Sequence, residues 1–441
     1  MDNPLNTLLI NIVNYFVESS KENEIENYRK MSTLIRIHNE KLVQCGDVSF
    51  PSKTEIWLNY FPEANRQLNE AAFQLSDTED EKSEQEKCKF LEAAKEWPFP
   101  VAKLLVRQER IHLHLHRSVI VGRLVPEVLK SENYGQLLKA ANKKVYLNSL
   151  PENLSEEDLS FYRSKLMYNV LQKLLRYSRW SQVDRQGEEH LDNNSFTELQ
   201  VESVASKINK NDCGVIIKCG LVTDPSNNGK RCQLPTKEYL SIRSNDMTLM
   251  ALHKYGIRVK QDARFCALME RLGSAAATVD LLEVKHTSPV QIIRNGQGST
   301  KGASFILYNS ARLETILRTF QERIDEGDYD PLPPIDSIQW ELLNEEEEWQ
   351  LVYAYLAGFP NLIDRCLEQL ERGLCSTHLI IHFLHGLVAI FSVYYRRIRI
   401  LTEKRDHLMP YVYARIYLIK AVREVLNKTL ALLDIEPVEF M

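Results

Sequence analysis

Two apolar stripes at helical spacing run through the last sixty residues of this 441-residue chain. Members of each stripe recur three or four positions apart, which places them on one face of an α-helix. The stripes predict two long helices packed side by side, so that this end of the chain folds as a helical bundle. The first comprises Ile380, Phe383, Leu384, Leu387, Val388, Phe391, Tyr394, Tyr395 and Ile398, and the second Leu418, Ile419, Val422, Val425, Leu426 and Leu433.

Positive charge is concentrated around these stripes. Residues 385–430 carry nine cationic side chains against three carboxylates, a net charge of +6, whereas the whole chain carries −5. An acidic protein with one basic helical end has the charge distribution of a module that binds a polyanion. The nine cations are Arg396, Arg397, Arg399, Lys404, Arg405, Arg415, Lys420, Arg423 and Lys428.

Three segments of this region resemble a known family. The run YARIYLIKAVREVL at 413–426, followed by LLDIEP at 432–437 and a terminal Met441, is similar to the end of arginyl-tRNA synthetases. That family closes with an all-helical anticodon-binding domain, the DALR domain. The run FILYNSARL at 305–313 resembles the helix that opens the same domain, and 394–401 resembles its middle. The resemblance covers roughly residues 300–441.

Composition limits the remaining possibilities. A hydrophobic content of 44% is ordinary for a globular protein, and the length suggests two or three domains. No apolar run approaches the ~20 residues that cross a bilayer, and the start lacks the basic residues of a signal peptide. The eight cysteines form no CxxC pair, which favours reduced thiols. We therefore expect a cytoplasmic protein without a membrane partner.

The pattern along the chain predicts five segments. Residues 1–75 are helical, 76–89 form an acidic disordered loop, and 295–302 form a linker. Residues 90–294 are expected to be an α/β domain, with strands at Val145–Leu147, Val215–Ile217 and within 280–293. Residues 303–441 form the DALR helical bundle. The resemblance implies that the α/β part is a degenerate class I synthetase-like domain, with helices on a mixed or parallel sheet.

A synthetase would carry a His-x-Gly-His turn that binds ATP. The candidate is the segment His112–Gly122, in which His114 replaces the glycine and Leu115 replaces the second histidine. A side chain in place of that glycine would occupy the space of the nucleotide. The lysine- and serine-rich loop of the family has one counterpart, 294–302, which has a single lysine and is better explained as a linker. The nucleotide site is therefore predicted to be lost.

Other chemistry finds no motif. His112, His114 and His116 alternate along a strand and could share a metal, but no carboxylate or cysteine ligand accompanies them. Histidines that face solvent or are hydrogen-bonded in the core are the favoured interpretation. The sequence contains no GxSxG, HExxH or GxGxxG motif and no glycine-rich S-adenosylmethionine loop. We predict no catalytic residue, no metal and no cofactor.

Two arginines interrupt the apolar stripes. Arg312 lies among the apolar positions of helix 305–320, and Arg415 precedes Leu418 by three residues. Either such an arginine is buried and paired with a carboxylate such as Glu314, or it opens onto an RNA-binding surface. Tyr308, Tyr394 and Tyr395 are likewise core residues or base-stacking platforms. The candidate nucleic-acid-binding residues are Tyr308, Arg312, Tyr395, Arg396, Arg397, Arg399, Arg415, Lys420 and Arg423.

A synthetase-like front without its signatures, joined to this bundle, is identified as a member of the DALR anticodon-binding domain-containing protein 3 family. The resemblance implies a non-catalytic tRNA-binding subunit. It would direct a methyltransferase-like partner to arginine tRNAs, for 3-methylcytidine formation in the anticodon loop. One departure is Asp434, where synthetases have a glycine that ends the last helix; aspartate tolerates the left-handed conformation. The alternatives are an active synthetase, a protein scaffold without RNA binding, and a general RNA-binding protein.

Overall fold

The structure is a computed structural model, which describes residues 1–17, 28–61, 68–75, 81–150, 158–183, 196–205, 214–255, 263–292 and 302–439. The predicted linker 295–302 lies outside these ranges except for Gly302. The helices are α1 (Pro4–Phe16), α2 (Tyr28–Leu34), α3 (Leu42–Cys45), α4 (Thr54–Tyr60), α5 (Glu81–Lys95), α6 (Arg117–Lys130), α7 (Leu159–Tyr177), α8 (Thr236–Tyr255), α9 (Ala263–Leu282), α10 (Ala303–Asp325), α11 (Glu346–Gln350), α12 (Gly358–Leu367), α13 (His378–Arg397) and α14 (Met409–Leu432). The strands are β1 (Arg36–Ile37), β2 (Val48–Pro51), β3 (Val101–Arg107), β4 (Arg110–Leu115), β5 (Lys144–Leu147), β6 (Ser181–Gln182), β7 (Thr197–Ser203), β8 (Val215–Cys219), β9 (Val222–Asp224), β10 (Lys230–Arg231) and β11 (Val290–Gln291).

The chain forms two compact units whose bounds differ from the predicted ones. Residues 2–131 and 333–361 form the amino-terminal unit, and residues 132–332 and 362–441, with Met1, form the carboxy-terminal unit. Residues 333–361 were predicted to belong to the helical bundle and residues 90–131 to the α/β domain, but both segments are part of the amino-terminal unit. Acidic residues of 333–361 pair within their own unit: Glu346 with Arg117 at 2.9 Å and Asp336 with Lys130 at 3.0 Å.

The amino-terminal unit is built on an antiparallel sheet of order β1-β2-β4-β3. Nine residues of its helix α5, including Glu84 and Glu86, lie in the segment 76–89 that was predicted to be disordered, and that prediction is wrong from residue 81 onward. Ion pairs one turn apart join Glu84 to Lys87 and Glu86 to Lys89. Phe90 and Ala94, just beyond the charged run, anchor the helix in the core. Residues 76–80 are outside the described part.

The carboxy-terminal unit contains the parallel sheet, of order β6-β5-β7-β8. The strands predicted at Val145–Leu147 and Val215–Ile217 are confirmed as parts of β5 and β8. The strand predicted within 280–293 is reduced to β11, because α9 continues to Leu282. β11 joins β9 and β10 in a small second sheet.

The helices α10, α13 and α14 pack on one another in this unit, and the two predicted stripes are largely buried. Ile380, Leu384 and Phe391 of α13 are fully buried, as are Leu418 and Val425 of α14. In the described ranges α13 is the helix whose length and composition would suit a membrane span, contrary to the expectation from sequence. Its buried stripe is the pattern of a core helix. After α14, Asp434 adopts the left-handed conformation, with φ +58°, as predicted.

A buried arginine ties the parallel sheet to the helices. The guanidinium of Arg163, on α7, donates hydrogen bonds to four backbone carbonyls, those of Gly220, Leu281, Lys285 and Ser288, at 2.7–3.2 Å. Arg163 is fully buried, and burial lowers its pKa from the usual range. Gly220 follows β8, Leu281 lies in the last turn of α9, and the other two acceptors follow that helix. One side chain therefore fixes the relative positions of α7, the sheet edge and α9.

Replacing this arginine is expected to destabilise the fold strongly. In Arg163→Met four carbonyls lose their donor, and each unsatisfied buried polar group costs about 1–3 kcal/mol. We expect the free energy of unfolding to fall by about 3 kcal/mol or more, measured by urea denaturation. Arg176→Met, on the exposed face of the same helix, is the matched control and should change it little.

A second buried network makes stability depend on pH. Asp280 forms an ion pair with Arg243 at 2.9 Å and accepts a hydrogen bond from the Tyr239 hydroxyl at 3.1 Å, yet burial raises its pKa from 3.8 to about 6. The folded state therefore binds a proton at Asp280 more tightly than the unfolded state does. As the pH falls from 6 towards 4, this difference increases the free energy of unfolding. Relative to Asp280→Asn, the wild-type free energy of unfolding should rise by about 1.4 kcal/mol per pH unit in that range. Urea titrations at several pH values measure it, and parallel curves for the two proteins would contradict it.

Candidate nucleic-acid interface

A stacked arginine is the centre of the candidate site. Helix α10 places Tyr308 and Arg312 one turn apart, and α13 brings Tyr395 to the same point from its last turn. The guanidinium carbon of Arg312 lies 4.6 Å from the ring centroid of Tyr308 and 4.4 Å from that of Tyr395. Its Nη2 donates to the Tyr308 hydroxyl at 3.0 Å. The planar guanidinium is thus held by cation–π contacts with two aromatic rings.

The predicted carboxylate partner of Arg312 is wrong. Glu314 accepts instead from Arg423 of α14, at 3.1 Å, because two residues along a helix turn a side chain to the other side. Within the described ranges the polar partners of Arg312 are the Tyr308 hydroxyl and the Asn309 side-chain oxygen, the latter at 3.3 Å. Both are neutral, so the positive charge of Arg312 is not cancelled by these contacts.

The three tyrosines have different environments. Tyr394 is fully buried and belongs to the core, whereas its neighbour Tyr395 is 41% exposed. Tyr308 is half-buried. Tyr395 therefore presents aromatic surface to solvent while Arg312 contacts its ring, which is the arrangement of a stacking platform.

Exposed arginines continue from this stack. Arg396, Arg397 and Arg399 are all exposed at the end of α13. Arg415 of α14 donates to the Arg399 carbonyl at 3.4 Å and lies 5.7 Å from the ring of Tyr411. Because Arg312 contacts Tyr395 and Arg415 contacts the Arg399 carbonyl, seven of the nine candidates lie around the end of α13. We call them the arginine–tyrosine patch: Tyr308, Arg312, Tyr395, Arg396, Arg397, Arg399 and Arg415.

Lys420 and Arg423 are not brought into this patch. Arg423 lies about 12 Å along α14 from Arg415, and Glu314 neutralises it. Lys420 is half-buried, 5.7 Å from the ring of Tyr417, and burial, followed by the charge of Arg423, lowers its pKa.

Other cations of the basic segment also have partners. Lys404 pairs with Asp330 at 3.1 Å, Arg405 with Glu403 at 2.9 Å, and Lys428 with Glu424 at 3.3 Å. The net charge of the segment therefore overstates the cationic surface, which is concentrated in the patch.

The segment His112–Gly122, which resembles the nucleotide turn, comprises the end of β4 and the start of α6. His112 to Leu115 belong to β4 of the antiparallel sheet, in the amino-terminal unit. Leu115 is buried and its N–H donates to the carboxylate of Asp47 at 2.7 Å. The His112 ring lies 2.7 Å from the Cys45 carbonyl. The segment is therefore a strand-to-helix connection, as predicted, but its strand pairs antiparallel with both neighbours, whereas nucleotides commonly bind at the carboxyl ends of parallel strands in α/β folds.

In the carboxy-terminal unit, α7 is the first described helix after strand β5 of the parallel sheet. Asp158 caps α7 there, accepting from the amides of Ser160 at 2.7 Å and Phe161 at 3.1 Å, and pairs with Arg231 at 2.5 Å. Helix starts at this position are where phosphates bind, and here the chain's own carboxylate takes that place. An aspartate before an apolar helical run was a readable cap signal.

One face of the antiparallel sheet carries several basic side chains, which the sequence pattern did not indicate. His114 lies opposite Lys103 and His112 opposite Ser49, which hydrogen-bonds both His38 and Arg110. Burial and neighbouring cations lower the pKa of His38 and of His114. Among the residues that the structure describes, no group of three or more histidine, cysteine or acidic side chains is arranged to hold a metal.

Comparison with known proteins agrees with the geometry. A family model described as the DALR anticodon binding domain matches residues 306–441. DALR anticodon-binding domain-containing protein 3 of Danio rerio is 30% identical over 234 residues, 51% of this chain and 41% of that protein. The arginine–tRNA ligase of Desulforamulus reducens is 31% identical over 177 residues, 40% of this chain and 29% of the ligase. In both cases the match spans less than half of the relative.

The fold has a solved counterpart. The arginyl-tRNA synthetase of Thermus thermophilus superposes with a TM-score of 0.60 at 9% sequence identity, covering 95% of this chain and 98% of that one. The fold is thus that of an arginyl-tRNA synthetase-like protein with a carboxy-terminal anticodon-binding domain. Within that class, the chain is similar in sequence to DALR anticodon-binding domain-containing protein 3, and its residues 306–441 match the DALR anticodon binding domain.

The cap of α7 generates a prediction. Replacing Asp158 by alanine removes a helix cap and the Arg231 pair, and loss of such a cap costs about 1–2 kcal/mol. We expect Asp158→Ala to lower the free energy of unfolding by that amount, measured by urea denaturation. Asp158→Asn keeps an oxygen acceptor and should retain most of the stability; equal losses in the two variants would contradict the capping role.

Proposed function

We propose that this chain is a non-catalytic tRNA-binding accessory protein whose helical domain binds the anticodon arm of arginine tRNAs. The observation that carries the proposal is the arginine–tyrosine patch. An exposed tyrosine ring stacked on a guanidinium offers a surface for an unpaired base, and the adjacent arginines can bind the flanking phosphates. The patch lies in the part of the chain that matches the anticodon-binding domain.

The proposal that the chain is not an enzyme is supported by the contacts of Asp158 at the start of α7. The carboxylate of Asp158 already accepts from the first amides of α7, and its negative charge opposes binding of a triphosphate there. Arg163, close by on the same helix, is committed to four carbonyls. The likeness to synthetases at low identity concerns the fold and leaves activity open to assay.

The finer proposal concerns the partner. A chain that binds a tRNA without modifying it needs a catalytic protein, and we propose a methyltransferase-like partner that forms 3-methylcytidine in the anticodon loop, in the cytoplasm. Holding enzyme and tRNA together raises the effective concentration of the target without a new active site. Selectivity for arginine tRNAs would come from this chain and the methyl transfer from the partner.

Tyr395 provides the first test of RNA binding. Stacking of a base on an aromatic side chain contributes about 1–3 kcal/mol, so Tyr395→Ala should weaken binding of an arginine tRNA by about fivefold to a hundredfold in a filter-binding assay. Tyr395→Phe keeps the ring and should bind within about twofold of wild type. Equal affinity of all three proteins would contradict stacking at this position.

The arginines provide the second test, through salt. Reversing Arg396, Arg397 and Arg399 to glutamate should lower tRNA affinity and reduce the dependence of affinity on salt concentration, because fewer counterions are released on binding. The control reverses three exposed lysines of α5, namely Lys82, Lys89 and Lys95, with the same change in net charge. An unchanged salt slope in the arginine variant would favour a scaffold that does not bind RNA.

The function itself is tested by native purification from cells. Mass spectrometry and RNA sequencing of the purified material should find a methyltransferase-like protein and arginine tRNAs, and depletion of the chain should remove 3-methylcytidine from those tRNAs. Equal recovery of all tRNAs would indicate general RNA binding. ATP-dependent charging of an arginine tRNA by the pure protein would overturn the proposal.

A further inference from the structure

The solvent-facing side of α13 forms a continuous strip beyond the arginine–tyrosine patch. Positions three or four apart along it are partly or fully exposed, opposite the buried stripe of the helix. Histidines occupy its first half, small residues its middle and an arginine its end, and the helix has no acidic residue. The strip comprises His378, His382, His385, Gly386, Ala389, Ser392, Val393 and Arg396.

The histidine end is surrounded mainly by groups of the same kind. The rings of His378 and His382 are 5.5 Å apart, and Nδ1 of His378 is buried and has no hydrogen-bond partner within the described ranges. Lys285, His286 and Arg365 are close enough for their charge to act on His378. One carboxylate, Glu283, acts on His385.

Two imidazoles of the strip, those of His378 and His385, can take up protons when a polyanion binds beside them. Burial lowers the pKa of His378 and of His385, and neighbouring cationic groups lower the pKa of His378 further. These shifts favour the neutral form of His378 and of His385 in the free protein. A phosphate placed beside them would favour the charged form, so that binding of a polyanion and uptake of protons are coupled. His286 does not share this role, since its Nε2 already accepts from the Cys375 amide and its Nδ1 faces the Lys218 carbonyl.

We propose that the strip from His378 to Arg396 lies along the phosphate backbone of the bound tRNA, with His378 and His385 protonated in the complex. The proposal rests on the proposed function, because it extends the same RNA contact from the arginine–tyrosine patch to the other end of α13.

The dimensions and chemistry of the strip favour RNA. His382 and Arg396 are fourteen residues apart, or about 21 Å along the helix, so the ligand must carry several successive negative charges. Gly386, Ala389 and Ser392 leave the middle of the helix free of long side chains, which allows close approach of a sugar–phosphate chain. An acidic protein segment would match the charge, but it would have no use for the exposed ring of Tyr395 at the end of the strip.

The test compares tRNA affinity at two pH values. The full chain should bind an arginine tRNA about three- to tenfold more tightly at pH 6 than at pH 8, since each proton taken up contributes at most about tenfold per pH unit. The triple variant His378→Gln, His382→Gln, His385→Gln should lose most of this difference. His253→Gln, at an exposed histidine of α8, is the matched control and should keep it. Circular dichroism at both pH values checks that every protein stays folded.

The outcomes separate this inference from the proposed function. If wild type does not bind tRNA at either pH, the proposed function fails. If wild type binds and the triple variant shows the same pH dependence, the strip is not part of the contact and this inference is overturned. The inference also fails if the triple variant keeps its tRNA binding and its pH dependence but loses the co-purifying protein partner, because the strip would then be a protein interface.

Discussion

The carboxy-terminal unit depends on the buried guanidinium of Arg163. A charge taken out of water is tolerable only when hydrogen bonds replace its hydration, and four backbone carbonyls do so here. They come from segments far apart in the sequence, so satisfying one side chain fixes the sheet edge, α7 and the end of α9 together. The close approach at Gly220 has the same origin, since a Cβ there would lie 2.5 Å from the Ser288 carbonyl, itself an acceptor of Arg163.

The two charged regions of this unit have opposite characters. At the start of α7 the polar groups satisfy one another: Asp158 binds the helix amides and Arg231. At the end of α13 the guanidinium of Arg312 is held by aromatic rings, and Arg396 and Arg399 face solvent. Ligand binding needs groups that are positioned but not neutralised. The geometry therefore favours ligand binding by the helical bundle over nucleotide binding at the start of α7.

The elements that sequence could predict are those specified by local periodicity. The stripes at 380–398 and 418–433 repeat over several turns, and the helices found there bury them. Contacts that depend on the tertiary fold could not be predicted from the sequence. Glu314, for example, pairs with Arg423, and Arg312 contacts the tyrosine rings instead. The strand-to-helix connection at His112–Gly122 was predicted correctly, but the antiparallel pairing of its strand was not, because a strand followed by a helix has the same sequence pattern in either kind of sheet. The domain bounds failed because 333–361 packs with residues distant in sequence.

The central claim is that the helical domain binds tRNA, whereas the start of α7 binds no nucleotide. Hydrogen–deuterium exchange of the full chain, alone, with an arginine tRNA and with ATP, tests both halves in one experiment. The account predicts that tRNA slows exchange at the end of α13 and in the facing turns of α10 and α14, and that ATP leaves the start of α7 unchanged. Protection of α7 by ATP, or no protection of the bundle by tRNA, would contradict it.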